Sequence, residues 1–328
     1  MVAPLRIGIL GAARIAPMAL IKPARKVPEA AIVAVAARDA SRARAFATKH
    51  GIGRVHESYA AMLADAEIDA VYNPLPNGLH AEWTIRALEA GKHVLCEKPL
   101  ASNAAEAERM AEAATRSGRR LIEAFHWRYH PLAARMKAVI DSGVLGTVRH
   151  VEATMCIPLP IPGDIRYRYD LAGGATMDVG CYTISVVRFL AGAEPEVVRA
   201  EARLSSPNVD RWMTADLRFA NGCSGRITCS LFSATLIKLQ AIVRGERGEM
   251  RVFNPFAPHF HHRLSVRTPS GTTREHVPGD STYTHQLRAF VDAVRNGTPA
   301  PTDPDFGIAN MRVVDAVYER AGLPKRGT

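Results

Sequence analysis

Short apolar runs alternate with amphipathic stretches over the first third of the chain, so the pattern switches repeatedly between a strand period and a helix period. Residues 5–10 form a β-rich apolar run that ends in a small-residue turn, Gly11-Ala12-Ala13, before helical spacing begins near Ile15. A second run at 31–37 precedes a polar helical stretch at 41–50, and a third at 69–73 precedes an amphipathic stretch at 79–90. A strand at 93–96, an Ala/Glu-rich helix at 103–117 and a fifth strand at 120–124 complete the series. Strands and helices alternating at this spacing predict right-handed crossovers and a parallel sheet covered on both faces. The expectation is an α/β Rossmann dinucleotide-binding domain over 1–124.

The rhythm changes after about residue 125. A helix at 131–142, stopped by Gly143, leads into a long alternating strand at 147–156. Runs at 196–205, 212–220 and 223–232 read as consecutive antiparallel strands, with Asn221-Gly222 as a hairpin turn between the last two. More short strands are expected at 236–244, 249–253, 263–268 and 272–277, and two helices close the pattern at 283–295 and 306–321. This predicts an α+β C-terminal domain over 125–328 with a large, mainly antiparallel open-faced sheet, one face on helices.

Composition narrows the partners. A chain of 328 residues with 47% hydrophobic and 23% charged residues suits two globular cores. Its start lacks the order of a secretory signal, and no apolar stretch reaches the roughly 18 residues of a membrane span. Five cysteines, an odd number without a Cys-x-x-Cys pair, fit a reducing cytoplasm. The formal charge of +10 raises the question of nucleic acid, but its basic residues are scattered and broken by acids. Neither nucleic acid nor membrane is expected as a partner, and an anionic cofactor is the simpler reason for local positive charge. His259-Phe260-His261-His262 has no cysteine or acidic ligand nearby, so no metal site is assigned there.

The turn from Gly8 through Gly11, Ala12, Ala13, Arg14 and Ile15 sits where a dinucleotide fold offers backbone amides to a pyrophosphate, although alanine replaces glycine at two fingerprint positions. Alone, it is also a plain tight turn. The second strand ends in Arg38 where an NAD site would carry an acid, and Arg42 lies within reach if a helix starts near Ser41. Arginines there suit a 2′-phosphate, and NADP is therefore expected over NAD; the alternative is two solvated surface arginines. Glu97-Lys98-Pro99 follows the fourth predicted strand, which puts Lys98 at the carboxyl edge of the sheet. By position alone it is equally an exposed turn lysine.

With Pro74 to His80, Gly91 to Pro99 and Gly173 to Tyr182 added to the first turn, nearly the whole chain resembles the glucose-fructose oxidoreductase, inositol dehydrogenase and MocA (Gfo/Idh/MocA) family. Tyr182, where many members carry histidine, is similar to the dihydrodiol dehydrogenase, aldose 1-dehydrogenase and glucose-fructose oxidoreductase branch. The resemblance implies an NADP-dependent oxidoreductase acting on a sugar, cyclic polyol or diol, with Lys98 as catalytic lysine flanking the nicotinamide of the bound cofactor. It implies that Leu75, Asn77 and His80 line the nicotinamide-ribose side and that Glu97 contacts the cofactor or positions Lys98. Tyr182 would carry the hydroxyl proton with its pKa lowered by Lys98, and Asp178, four residues earlier on the same helical face, would orient it. Trp127, Arg128 and Arg166 are expected at the substrate, with Phe125 and Tyr283 as further candidates. Asn73 departs from the apolar residue expected before Pro74, and Pro23 should interrupt or end the first helix. A non-catalytic cofactor-binding sensor is the rival reading. The open sheet face leads to the expectation of a homodimer or a dimer of dimers.

Overall fold

The computed structural model describes residues 3–161 and 163–327. The chain packs into two compact units. The first comprises Met1–Ala101, Ala105–Tyr129 and Ser281–Ile308, and the second Ser102–Ala104, His130–Asp280 and Ala309–Thr328. The division at 124/125 read from the sequence does not foresee that residues 281–308 return to the first unit.

Six strands build the sheet of the first unit: β1 (Leu5–Leu10), β2 (Ala30–Ala36), β3 (Arg54–His56), β4 (Ala70–Asn73), β5 (His93–Cys96) and β6 (Leu121–Glu123). Their order is β3-β2-β1-β4-β5-β6, and all pairs are parallel. The order reverses between β1 and β4, and in such sheets the crevice at the carboxyl ends beside that reversal receives the ligand. The connecting helices are α1 (Lys22–Ala24), α2 (Ala40–His50), α3 (Tyr59–Ala64), α4 (His80–Glu89) and α5 (Ala104–Ser117). A π-helical turn, Pro17–Ile21, runs into α1, which ends one residue after Pro23. Proline lacks the amide that would extend the helix, so the break expected there occurs. β3 and α3 have no counterpart among the predicted elements; the three residues of β3, all at least partly exposed, carry no readable period.

In the second unit, α6 (Pro131–Asp141) leads to β7 (Val148–Cys156), and α7 (Cys181–Ala191) follows a second π-helical turn, Thr176–Gly180. Seven more strands follow: β8 (Pro195–Ser206), β9 (Val209–Phe219), β10 (Ser224–Ser230), β11 (Lys238–Gly245), β12 (Glu249–Phe253), β13 (Arg263–Thr268) and β14 (Gly271–Glu275). The eight strands lie in the order β14-β13-β12-β11-β7-β10-β9-β8, antiparallel except for the pair β7 and β10. One face of β7 and β10 packs on α7. The opposite alternation carries ion pairs such as Arg226 to Asp216 at 2.7 Å and Arg244 to Glu249 at 3.0 Å.

The remaining helices are α8 (Thr282–Asn296) and α9 (Pro304–Arg320). Leu287 and Phe290 of α8 join Ile7, Ile9, Tyr72 and Leu95 in the core of the first unit. That burial holds β1, β4 and β5 in register beneath the loops at their carboxyl ends.

Candidate active site

At the end of β1, Gly11 adopts φ +90, a conformation that L side chains rarely take, and its amide donates to Ala36 O at 2.6 Å. A Cβ there would stand 3.1 Å from Leu75 Cδ2 and 3.7 Å from the Tyr59 hydroxyl. The amides of Ala12, Ala13 and Ile15 meet no acceptor among the described residues. An uncovered run of amides between a strand and a helix is what a pyrophosphate requires, so the turn fits the dinucleotide read from the sequence. Gly8 is a correction. It lies inside β1, where a Cβ would be 2.9 Å from Met62 Sδ, so its lack of a side chain serves packing against α3.

Asp39 is the N-cap of α2. Its Oδ1 accepts from Ser41 N at 2.8 Å, Ser41 Oγ at 2.6 Å and Arg42 N at 3.2 Å. These bonds, that of the Ser41 hydroxyl foremost, hold its carboxyl below the ordinary range. The carboxylate nearest the place of an NAD site's ribose-reading acid is thus used in capping. Arg38 and Arg42 are exposed, and no carboxylate lies within ion-pair distance of either guanidinium among the described residues. Burial raises the Tyr59 phenol, against the opposing pull of Arg38 and Arg42 on its hydroxyl. The charges of both arginines are thus felt at a tyrosine that borders the Gly11 turn, which suits a 2′-phosphate bound there.

Lys98 is half-buried at the end of β5, with a cis bond to Pro99. Glu97 beside it is buried; its Oε1 accepts from the Tyr72 hydroxyl at 2.6 Å and its Oε2 from the Lys98 amide at 3.3 Å. Burial, and then the Glu97 charge, pushes the Tyr283 phenol upward. His80 is 0% exposed, with Nδ1 2.8 Å from Pro99 O and Nε2 2.7 Å from Leu75 O. The two carbonyls favour the imidazolium, but burial outweighs them and pulls the ring down to about 4. His80 is therefore an internal tie between the Leu75 loop and the Lys98 turn and does not line a cleft, contrary to expectation. Leu75 is buried against Gly11, while Asn77 is half-buried in a single 3₁₀ turn. Asn73 explains its own departure from the apolar pattern. Its Nδ2 donates to Thr84 Oγ1 at 3.0 Å and to His80 O at 3.3 Å, and its Oδ1 accepts from Leu75 N at 3.3 Å, so it anchors the same loop.

In the second unit, Asp178 lies in the turn Thr176–Gly180 and Tyr182 in the first turn of α7. Both stem from helical backbone four residues apart and leave it on one side. Tyr182 is 6% exposed, with the Phe256 ring edge-on at 6.2 Å. Arg166 Nε donates to Asp178 Oδ2 at 2.9 Å, and its Nη1 donates to Asp164 Oδ1 at 3.1 Å. The Asp178 charge is the main reason the Arg166 pKa rises. Arg166, expected at the substrate, has its guanidinium bonded to two carboxylates, those of Asp178 and Asp164.

Trp127 is a second correction. It is 1% exposed in the turn His126–Tyr129 and offers no ring face for stacking. Arg128, partly accessible, lies 5.5 Å over that ring. Phe125 is buried edge-on to Phe306 at 5.4 Å, and Tyr283 lies 4.2 Å from the His126 ring. The sequence reading did not single out Tyr59, Tyr72, Asp164 or Phe256. Only Asp164, two residues before Arg166, left a local signal. Among the described residues no group of three His, Cys, Asp or Glu side chains is arranged to hold a metal.

A family model for the oxidoreductase family with an NAD-binding Rossmann fold matches residues 5–125, and one for the GFO/IDH/MocA C-terminal domain matches 133–251. A D-xylose 1-dehydrogenase (NADP(+)) from Haloferax volcanii is 36% identical, over 96% of each chain. A dTDP-3,4-didehydro-2,6-dideoxy-α-D-glucose 3-reductase from Actinomadura kijaniata is 34% identical, over 96% of this chain and 95% of its own. The crystal structure of a 3-ketoreductase from Actinomadura kijaniata in complex with NADP and TDP-benzene has a TM-score of 0.90 at 32% identity, over 98% of both chains. With both units matched by family models and relatives aligned over almost its full length, the chain belongs to the GFO/IDH/MocA family of oxidoreductases.

Proposed function

We propose that the protein is an NADP-dependent dehydrogenase or reductase acting at a hydroxyl-bearing or carbonyl carbon of a sugar, cyclic polyol or related diol. The observation that carries this reading is the Arg166-held carboxylate of Asp178 four residues before Tyr182, in a chain whose Gly11 turn has uncovered amides beside Arg38 and Arg42. NADP, when bound, supplies or accepts the hydride. Arg38 and Arg42 would hold its 2′-phosphate, and Ala12, Ala13 and Ile15 its pyrophosphate, with Arg14, Leu75 and Asn77 bordering the same ligand. Glu97, held by Tyr72, fixes the backbone from which Lys98 extends.

In the oxidative direction the substrate carbon gives up a hydride and its hydroxyl gives a proton to the Tyr182 phenolate; reduction reverses both. A free phenol has a pKa near 10. A cation must lower it for transfer near neutrality, and Lys98 is the residue we assign to that role. Asp178 accepts a hydrogen bond from a substrate hydroxyl and so turns the reacting carbon. Crystal structures of the Actinomadura ketoreductase include a lysine-to-alanine and a tyrosine-to-phenylalanine variant. These are the two residue types assigned to proton transfer here.

A panel of aldoses, polyols, dihydrodiols and dTDP-linked keto sugars, assayed with NADP and NAD in both redox states, tests the proposal. Turnover with NADP in preference to NAD is expected. NADPH binding without turnover of any member would overturn it in favour of a cofactor-binding sensor. We further infer a homodimer or dimer of dimers through the outer sheet face, where Phe253 is 44% exposed between ion-paired strands. Light scattering showing a monomer at micromolar concentration would refute that.

A further inference from the structure

Two charged groups of the second unit stand outside every role assigned above, yet both end on the segment that carries Asp178. Asp210 lies in β9, fully buried. Its Oδ2 accepts from the Thr176 amide at 2.7 Å and from the Thr176 hydroxyl at 2.7 Å. Its Oδ1 accepts from the Tyr318 hydroxyl at 2.9 Å and from Arg326 Nη2 at 3.1 Å. Arg326 is itself 0% exposed, and it donates through Nε to Gly173 O at 2.8 Å and through Nη1 to Pro324 O at 3.0 Å. Its guanidinium lies 4.0 Å over the Tyr318 ring, and Asn103 Nδ2 fastens its carbonyl at 2.8 Å. A buried ion pair supplied with this many partners gives weak evidence for stability in itself and stronger evidence for a fixed local geometry.

The segment from Gly173 to Thr176 is gripped at both ends, by Arg326 through the Gly173 carbonyl and by Asp210 through the Thr176 amide. The grip reaches Asp178 by two routes. Along the chain, Thr176 opens the π-helical turn in which the Asp178 amide donates to Gly174 O at 3.0 Å. Such turns recur at functional sites. Across the loop, a Cβ on Gly173 would stand 2.6 Å from Arg166 O and 2.7 Å from Arg168 O, and the Gly174 amide donates to Arg166 O at 2.7 Å. The backbone from which Arg166 reaches Asp178 therefore rests on the segment that Arg326 holds. Gly174 leaves no slack, since at φ +138 its Cβ would fall 2.2 Å from Asp210 Oδ1.

We propose that Arg326 and Asp210 form a positioning pair for Asp178, setting the direction of its carboxylate without touching the substrate. The inference rests on the reading of Asp178 as the group that orients the substrate. Arg326→Met and Arg326→Lys test it, each alone and combined with Asp178→Asn, using the compound turned over fastest in the panel above. Misplacement of a reacting group by about 1 Å can cost about 100-fold, so Arg326→Met is expected to lower kcat/KM by about that factor. NADPH affinity should stay within about twofold, hydrogen exchange should rise across 173–180, and Arg326→Lys should restore part of the rate. In the Asp178→Asn background the loss should shrink to about threefold or less, because a positioning residue has nothing left to position. Additive losses, or unchanged exchange across 173–180, would overturn the proposal. Should Arg326→Met fail to fold, Tyr318→Phe removes one of the four donors to Asp210 while keeping the ring. Its smaller rate loss must likewise vanish with Asp178→Asn, and additivity there refutes the proposal. Failure of the underlying reading looks different, with Asp178→Asn alone leaving kcat/KM unchanged, and that outcome overturns the positioning role as well.

Discussion

Replacing Gly11 by alanine separates backbone strain from cofactor recognition, provided it is compared with Gly51→Ala. Gly51 caps α2 at φ +70 with nothing within 4 Å of where a methyl group would stand, so alanine there meets only the left-handed backbone penalty, about 1–2 kcal/mol. Gly11 at φ +90 lies further from the allowed region, and its Cβ would press on Leu75 Cδ2 at 3.1 Å. Leu75 has little freedom to yield, because Asn73 Oδ1 holds its amide and His80 its carbonyl. A backbone cost of about 1–3 kcal/mol is therefore expected, with the turn shifted rather than the leucine. Loss of one charge-assisted hydrogen bond from a displaced amide costs a further ~1.5–3 kcal/mol of binding, about 10- to 100-fold in Kd. Thermal unfolding and NADPH fluorescence titration read the two effects. Both variants should melt lower, by about 2–4 °C per kcal/mol, but only Gly11→Ala should lose NADPH affinity. If Gly11→Ala binds NADPH as tightly as the parent, the turn does not hold the pyrophosphate and the reasoning fails.

Other consequences are open to direct measurement. Arg38→Ala and Arg42→Ala should each weaken NADPH binding about tenfold or more and leave NADH binding unchanged, as titrations with both cofactors would show. Asp39→Asn preserves an acceptor for the α2 amides, so the preference for NADPH should not move; a loss of NADH affinity that sharpens the preference for NADPH would mean that Asp39 reads the ribose after all. His80 titrates near 6.5 when unfolded and near 4 when folded, so between those values the unfolded chain holds more protons and acid destabilises the fold. The linkage is worth up to about 3 kcal/mol, and His80→Asn should flatten the dependence of chemical denaturation on pH in that window.

Elements with a clear period were legible from sequence. The strands at 5–10, 93–96, 249–253 and 263–268 were read with the bounds the structure has, because each combines alternation or a full apolar run with turn residues at its ends. The return of α8 to the first unit was not, since a hydrophobic face does not name its partner. Site residues followed the same division. Arg38 and Lys98 are placed by strand ends, which periodicity locates. The family resemblance put His80 at the site, and its place after a strand put Trp127 there, yet burial turns one into a tie and closes the other off. Asp210 lies in a strand where its acidity was the only sign of a buried partner, and Arg326, with its partners far away in sequence, left none.

The central proposal is that Lys98 and Tyr182 together move the substrate proton, with most of the dinucleotide's affinity coming from the Gly11 turn, Arg38 and Arg42. Steady-state turnover of Lys98→Met and Tyr182→Phe, with NADPH affinity measured on the same preparations, tests it most directly. Removing a general acid or base typically costs about 100- to 10,000-fold, so kcat should fall by that order in both variants while the NADPH Kd stays near that of the parent. Wild-type kcat in either variant would contradict the account.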